Sequence, residues 1–503
     1  MNEAAEVSDQ QHDRGGPGEL GESPHPSGGV RNVPQPGEQI GQATSDLHPA
    51  AVAASSDRRF TPPYPPRRSK PVHTLRGLFG ERARTAVYGW SELAFDTWHI
   101  KRNVLGHTVH VVLKPEWIER VLLDNAANYE KPRLVKRILD PTIGRGLLSS
   151  DGELWRAQRK IVAASFTPPA VDALVPVFGQ VGEAMVGSWT AGVRDMAVEA
   201  TTATMTVIAD ALFSGDPRLT SRAAMEHITA AMEGVGEARI QVLLGLPLIP
   251  IGPRGRRGHR GIRFLRQTLG EIVRERLGGD APDDFVTGMI RALLERFPRE
   301  EAIDLAIDNA ATFYLAGHET TANTTAWTLY LLSEQPELQA QAATEAAAAL
   351  ASGIDADLPD RLPLLRSILE ESLRLYPPVP RFDREAVSAD QLGEHEILPG
   401  DLVSIWPWIV HRHQRLWDDP DAFVPERFAP ERRKAYHRFQ YLPFGAGPRT
   451  CVGARLAMAE ALTILAIWLS RWRFASVPGR EVRVSGMVTL RPKGGLPLAL
   501  APR

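Results

Sequence analysis

The stretch from about Glu301 to Glu334 contains no proline, opens with the acidic side chains Glu301 and Asp304, and ends just ahead of Pro336. An acidic first turn and a proline past the end mark one uninterrupted helix. At ~1.5 Å per residue it reaches about 50 Å. It must therefore traverse the whole domain, and the other elements have to pack around it. Its middle reads Ala316-Gly-His-Glu-Thr-Thr321. Gly317 and the hydroxyls of Thr320 and Thr321 weaken the backbone ladder there, which predicts a local kink.

Around this helix the sequence predicts a mainly α fold with smaller β-sheets, of the α+β class. From Asp151 to about Ala340 the pattern is mostly helical. His99 to Leu113, rich in Val, Ile and His around Gly106, suggests a hairpin, and Lys114-Pro-Glu116 opens a helix through about Asp124. A second helix that matters spans about Arg361 to Leu375 and stops at Tyr376-Pro-Pro378. Strand-like segments follow at Asp401 to Trp406 and Val482 to Val488. The first 59 residues are rich in Gly, Pro, Ser and Gln and lack the apolar segment of a signal peptide. They cannot bury enough apolar surface to offset the entropy of ordering, so a disordered tail is expected before a single domain over residues 60–503.

A net charge of −2 gives no argument for nucleic-acid binding. The apolar run Ile240 to Ile251 is shorter than the roughly 20 residues a bilayer span needs, and Pro247 and Pro250 interrupt it. A soluble, cytoplasmic monomer without a transmembrane segment is expected. The same run abuts Arg254-Gly-Arg-Arg257; it could graze a membrane surface peripherally, or serve as a plain mobile lid.

The chain has a single cysteine, Cys451. That excludes an intrachain disulfide and a four-thiolate iron–sulfur cluster. A metal ligand, a nucleophile or an inert core residue remain. Cys451 stands in Phe444-Gly-Ala-Gly-Pro-Arg-Thr-Cys451-Val-Gly453, a glycine-rich turn that delivers it to the start of an amphipathic helix from about Ala454 to Trp472. Backbone amides and the positive end of that helix would favour a thiolate over a thiol.

The pattern Phe444-x-x-Gly447-x-Arg449-x-Cys451-x-Gly453 resembles the heme-binding loop of the cytochrome P-450 family at every fixed position. The resemblance implies that family's fold, a long central helix over heme b (iron protoporphyrin IX) with the thiolate loop beneath. It implies Cys451 as the axial iron ligand, Phe444 as the aromatic packed beside it, Gly445 and Gly453 as parts of the loop, and Arg449 on a heme propionate. Trp155 and Arg159 share a helical face at i, i+4 spacing; the family places both near a propionate from the other side, and Arg384 near another. Glu371 and Arg374, at i, i+3, would on their own be an exposed pair worth about 0.3 kcal/mol. With Arg427, the resemblance makes them a buried structural triad that locks the coil holding Cys451. The Ala316–Thr321 segment resembles the oxygen-activation groove: Thr320 holds oxygen and a water in place, and Glu319 relays protons. A plain Thr-rich packing helix is the bland alternative, and His318 has no assigned role.

The implied activity is that of a heme-thiolate monooxygenase. It uses O2 and two externally supplied electrons to hydroxylate or epoxidise a lipophilic small molecule such as a terpenoid or fatty acid. Family position puts Ala316, Val379, Phe382 and Val488 in the substrate pocket, with the loop from Tyr129 to Gly146 and residues near Ile240 to Leu248; these are largely apolar. No reductase domain follows the last hairpin, so electrons are expected from a separate ferredoxin or flavodoxin with its NAD(P)H reductase. The basic run Glu431-Arg-Arg-Lys-Ala-Tyr-His-Arg438, with Arg455 and Lys160, is the expected docking face, against the alternative of a solvated charged stretch. Competing readings are a peroxide-driven peroxygenase, which would not need Glu319 and Thr320, a non-catalytic heme sensor, and a cysteine-nucleophile hydrolase, which needs a partnered histidine.

Overall fold

The computed structural model describes residues 59–69, 85–104, 106–237, 241, 248–250, 252–486 and 488–503. Residues 1–58 of the expected tail lie outside the described residues, as does most of the Ile240 to Ile251 run. Among the described residues, the helices of ten or more residues are α1 (Arg133–Ile143), α2 (Gly152–Ala163), α3 (Val175–Gly187), α4 (Met196–Phe213), α5 (Arg222–Glu237), α6 (Gly252–Glu275), α7 (Phe285–Leu294), α8 (Arg299–Ser333), α9 (Pro336–Ala351), α10 (Pro363–Leu375) and α11 (Ala454–Arg471).

The 35-residue α8 is the axis of the fold, buried along most of its length from Ala302 to Ser333. It runs unbroken through the segment where weakening is expected. The threonines do not interrupt the ladder: Thr312, Thr320, Thr324 and Thr328 each return their hydroxyl to the carbonyl four residues back, at 2.8–2.9 Å. Gly317 serves packing instead. A Cβ there would lie 2.6 Å from Ile208 Cδ1, so α4 crosses α8 over that glycine. Two stretches, Pro168–Gly187 and Met196–Phe213, are long and apolar enough to cross a membrane by length and composition. The second buries Ala200, Ala203, Val207 and Ile208 in the core.

The largest sheet runs in the order β1 (His99–Val104), β2 (His107–Val112), β8 (Leu402–Ile405), β5 (Phe382–Ala386), β3 (Tyr129–Glu130). The expected hairpin is β1–β2, closed at Gly106 with φ +86°. β8 joins β2 in parallel and β5 in antiparallel register. A second sheet joins β4 (Gly192–Asp195), β12 (Pro497–Pro502) and β9 (Trp472–Ser476); β6 (Asp390–Leu392) pairs β7 (His395–Ile397), and β10 (Val484–Ser485) pairs β11 (Arg491–Pro492).

Three local expectations change. The segment from Tyr129 to Gly146, read as a loop, contains α1: apolar residues at 134/135, 138/139 and 143 recur with helical spacing, and the helix is half-buried from Leu134 to Leu139 and buried at Thr142 and Ile143. The strand expected over Val482 to Val488 shrinks to β10, because Gly486 turns the chain at φ +122° and a Cβ there would collide with the Thr489 carbonyl. Finally, α11 is buried almost all round, from Leu456 to Leu469, and is a core helix more than an amphipathic one.

Candidate active site

The cysteine loop is held by its own backbone. Cys451 N donates to Phe444 O at 2.9 Å, and Thr450 N to Gly447 O at 3.1 Å. Gly445 and Gly447 both have positive φ, +67° and +70°. At Gly447 the need is double, since a Cβ would also run into the Leu122 carbonyl. The Cys451 side chain is solvent-accessible, yet enclosed enough that burial pushes its thiol up. The Gly453 N–H and the Arg159 guanidinium pull the other way. The amide at the helix start favours the thiolate as expected, but desolvation outweighs the amide and the cation. Coordination to a metal would complete the deprotonation.

Beside the loop lies an excess of buried positive charge. Arg449 stacks its guanidinium on Trp155, 4.3 Å from the ring centroid, donates to Ser150 O at 3.0 Å and pairs with Asp151. Asp151 also takes Lys136 Nζ at 2.7 Å. Burial, then the charge of Arg449, pushes Arg384 down to about 10. Lys131 is driven well below the ordinary lysine range by burial, then by Arg449 and Arg384. Three half-buried cations stand together, with Asp151, Asp383 and Glu130 as the nearby carboxylates that only partly offset them. Two propionates would supply the missing negative charge, so the residues present fit heme b: an enclosed thiol for the iron and a cationic rim for the carboxylates.

Trp155 thus meets Arg449 and not Arg159, which lies close enough to Cys451 for each to feel the other's charge. Lys131 and Asp151 were not expected. Neither has a local signature, and their importance comes from contacts across the fold.

Behind the loop, Glu371 and Arg374 form a two-point pair at 2.6 and 2.7 Å with both side chains fully buried. Arg427 approaches Glu371 Oε1 at 3.5 Å. Arg374 also donates to His411 O, Pro420 O and Ala422 O at 2.6–2.9 Å, and Val424 N donates to Glu371 Oε1 at 2.8 Å. The three charged residues come together as expected, tying α10 to the coil ahead of the loop. A groove of about 350 Å³ opens on this side, lined among others by Phe444, Met458, Arg433, Arg455 and Arg366. Arg433 pairs with Glu370, and Arg455 with Asp172, so its charge is mixed. Lys160 does not line it.

In α8, Ala316 is exposed and Glu319 and Thr320 are half-buried, an accessible island in an otherwise buried helix. Phe166 lies between this helix and the cysteine loop: a Cβ at Gly453 would meet its ring at 3.8 Å, and its ring is tilted against Phe313 with centroids 5.8 Å apart. His318 points away, with Nδ1 2.6 Å from Tyr314 O. Glu319 Oε1 accepts from Thr489 Oγ1 at 2.7 Å, a partner the sequence did not indicate. Leu490 N donates to Pro378 O at 2.9 Å, bringing the C-terminal hairpin beside Val379. Val488 is 40% exposed there, and Val379 and Phe382 are half-buried.

Residues 97–496 match the sequence model described as Cytochrome P450. Cyclooctatin synthase from Streptomyces melanosporofaciens is 31% identical, covering 76% of this chain and 84% of its own. Cyclooctat-9-en-7-ol 5-monooxygenase from the same organism is 32% identical, covering 78% and 86%. Among solved structures, the cytochrome P450DA heme domain superposes with a TM-score of 0.73 at 24% identity, covering 88% of this chain and 99% of that one.

Proposed function

This chain belongs to the cytochrome P450 family and is a monooxygenase of that family, and we propose that it hydroxylates or epoxidises a lipophilic small molecule, a terpenoid or a fatty acid, with electrons from a separate ferredoxin or flavodoxin. What supports the substrate class is the apolar character of Ala316, Val379, Phe382 and Val488, each at least partly accessible. A similar protein named for oxidising cyclooctat-9-en-7-ol, an alkenol, agrees with it.

Heme bound through Cys451 supplies oxygen activation, to which thiolate donation contributes. The chain's own residues do the rest. Lys131, Arg384 and Arg449 would hold the propionates, with Trp155 bracing Arg449. The Thr320 hydroxyl, now turned to Ala316 O, is the group that would rotate to hold oxygen and a water. Glu319 would pass a proton inward from solvent. The same pair disfavours a peroxide-driven peroxygenase. Among the described residues no histidine is paired with Cys451, which disfavours a hydrolase.

For the electron donor, the groove flanked by Arg433 and Arg455, with exposed Arg432 and Lys434 beside it, supports an acidic partner. Charge reversal at Arg432 and Arg433 should slow reduction by a ferredoxin at low salt; an unchanged rate would remove the docking assignment. The substrate class is tested by a spin-state titration of the ferric protein against terpenoid, fatty-acid and polar panels. Shifts only with polar compounds would overturn it.

A further inference from the structure

The segment between β10 and β11 places two consecutive residues of different character. Val488 is exposed, while Thr489 is only 8% exposed. The segment is fixed without help from Glu319: Leu490 N donates to Pro378 O at 2.9 Å, Trp327 Nε1 to Leu490 O at 3.4 Å, and Ala86 N to Gly486 O at 3.0 Å. Onto this fixed support Glu319 docks through one oxygen, Oε1, which accepts from Thr489 Oγ1 at 2.7 Å. Its other oxygen, Oε2, is buried and has no hydrogen-bond partner. A buried carboxylate oxygen left unpartnered carries a desolvation cost, so an arrangement that leaves it so calls for an explanation.

We propose that Thr489 is a positioning residue for proton delivery: its hydroxyl clamps Glu319 Oε1 so that the unpartnered Oε2 is the atom that gives up a proton beside Thr320 and regains it from water. Because Val488 and Thr489 are neighbours on one anchored segment, a substrate pressing on Val488 acts on the clamp as well. This rests on the reading of Glu319 and Thr320 as a proton relay.

The test compares Thr489→Val, which keeps the shape and removes the hydroxyl, with Thr489→Ser, which keeps the hydroxyl, each also combined with Glu319→Gln. In the holoprotein, NADPH and a surrogate ferredoxin system supply both electrons, and the rate of dioxygen consumption is followed against pH in H2O and D2O. Losing a donor disfavours the ionised carboxylate, so Thr489→Val should move the midpoint of the pH profile up by about one unit, tenfold in proton affinity. Thr489→Ser should restore the profile. A second readout needs no oxygen: in urea unfolding, Thr489→Val should destabilise more at pH 7 than at pH 4, and this difference should vanish in the Glu319→Gln background.

An unmoved pH profile with equal destabilisation at both pH values would make Thr489 a packing residue and overturn the proposal. So would a Thr489→Val effect that persists in full without the Glu319 carboxylate. If wild-type dioxygen consumption with both electrons supplied ignores both pH and Glu319→Gln, the relay reading itself fails and the proposal falls with it.

Discussion

Arg374 and His411 each hydrogen-bond the other's backbone carbonyl: Arg374 Nη1 donates to His411 O at 2.6 Å, and His411 Nδ1 donates to Arg374 O at 3.1 Å. Leu442 N then donates to His411 Nε2 at 2.8 Å. The end of α10 and the coil leading to Phe444 are thus one hydrogen-bonded unit.

The first prediction concerns Arg374. Removing it leaves the Glu371 carboxylate fully buried with its main counter-charge gone, and breaking such a pair costs about 3–5 kcal/mol. Arg374→Ala should unfold at markedly lower urea and retain little heme. Arg374→Lys should do almost as badly, because one ammonium cannot reach both Glu371 oxygens and three carbonyls. Native heme content and urea midpoint in the lysine variant would show that the fork geometry is unimportant.

His411 carries a pH prediction. The Leu442 N–H occupies Nε2, so a second proton has no place to go; burial above all holds the imidazole down at about 3. From the ordinary value of 6.5 down to about 3, the unfolded chain binds a proton that the folded protein refuses. Stability therefore falls as pH drops through that window, by about 1.4 kcal/mol per pH unit for one proton. His411→Phe should be less stable at pH 7 but lose stability less steeply between pH 6 and 4. An equal slope in both proteins would mean that another group sets it.

How far the fold and site could be read in advance depended on the separation of the interacting residues. α8, α10 and the β1–β2 hairpin follow from periodicity and punctuation within one segment, and the cysteine loop from the spacing of Phe444, Gly447, Arg449 and Cys451. The Glu371–Arg374 pair is one helical turn, so it too was local. What escaped was long-range. Nothing near Trp155 indicates that Arg449 and not Arg159 will lie over its ring, and nothing near Lys131 or Thr489 marks them. Their chemistry exists only once β3, β5, the turn ahead of α2 and the C-terminal hairpin have met. The thiol of Cys451 makes the same point: the helix start was legible, but the burial that outweighs it was not.

Cys451 and Thr320 should separate ligation from proton handling. Cys451→Ala should abolish the red-shifted Soret band of the reduced, carbon monoxide-treated protein, along with oxygenation. Thr320→Ala should keep that band, since its hydroxyl bonds only Ala316 O and makes no bond to the cysteine loop. It should instead divert most reducing equivalents to hydrogen peroxide, measured as peroxide formed per NAD(P)H consumed. Wild-type coupling in Thr320→Ala would count against the relay and leave the heme assignment standing.

The cation cluster predicts effects of opposite sign. Lys131 is buried against Arg384 and Arg449, which together with burial hold it well below the usual lysine range; in the protein alone it is a source of strain. Lys131→Met, of similar length and without charge, should raise the urea midpoint of the apoprotein. If the cluster exists to bind propionates, the same change should weaken heme retention. One charge-assisted hydrogen bond is worth about 1.5–3 kcal/mol, so heme should transfer to apomyoglobin at least about tenfold faster. Asp151→Asn should act the other way on the fold, lowering apoprotein stability by removing the carboxylate that Arg449 and Lys136 share. A lysine variant that loses both stability and heme would make Lys131 an ordinary structural residue. Only the split, a firmer apoprotein that holds heme less well, identifies a charge kept for the ligand at the expense of the fold.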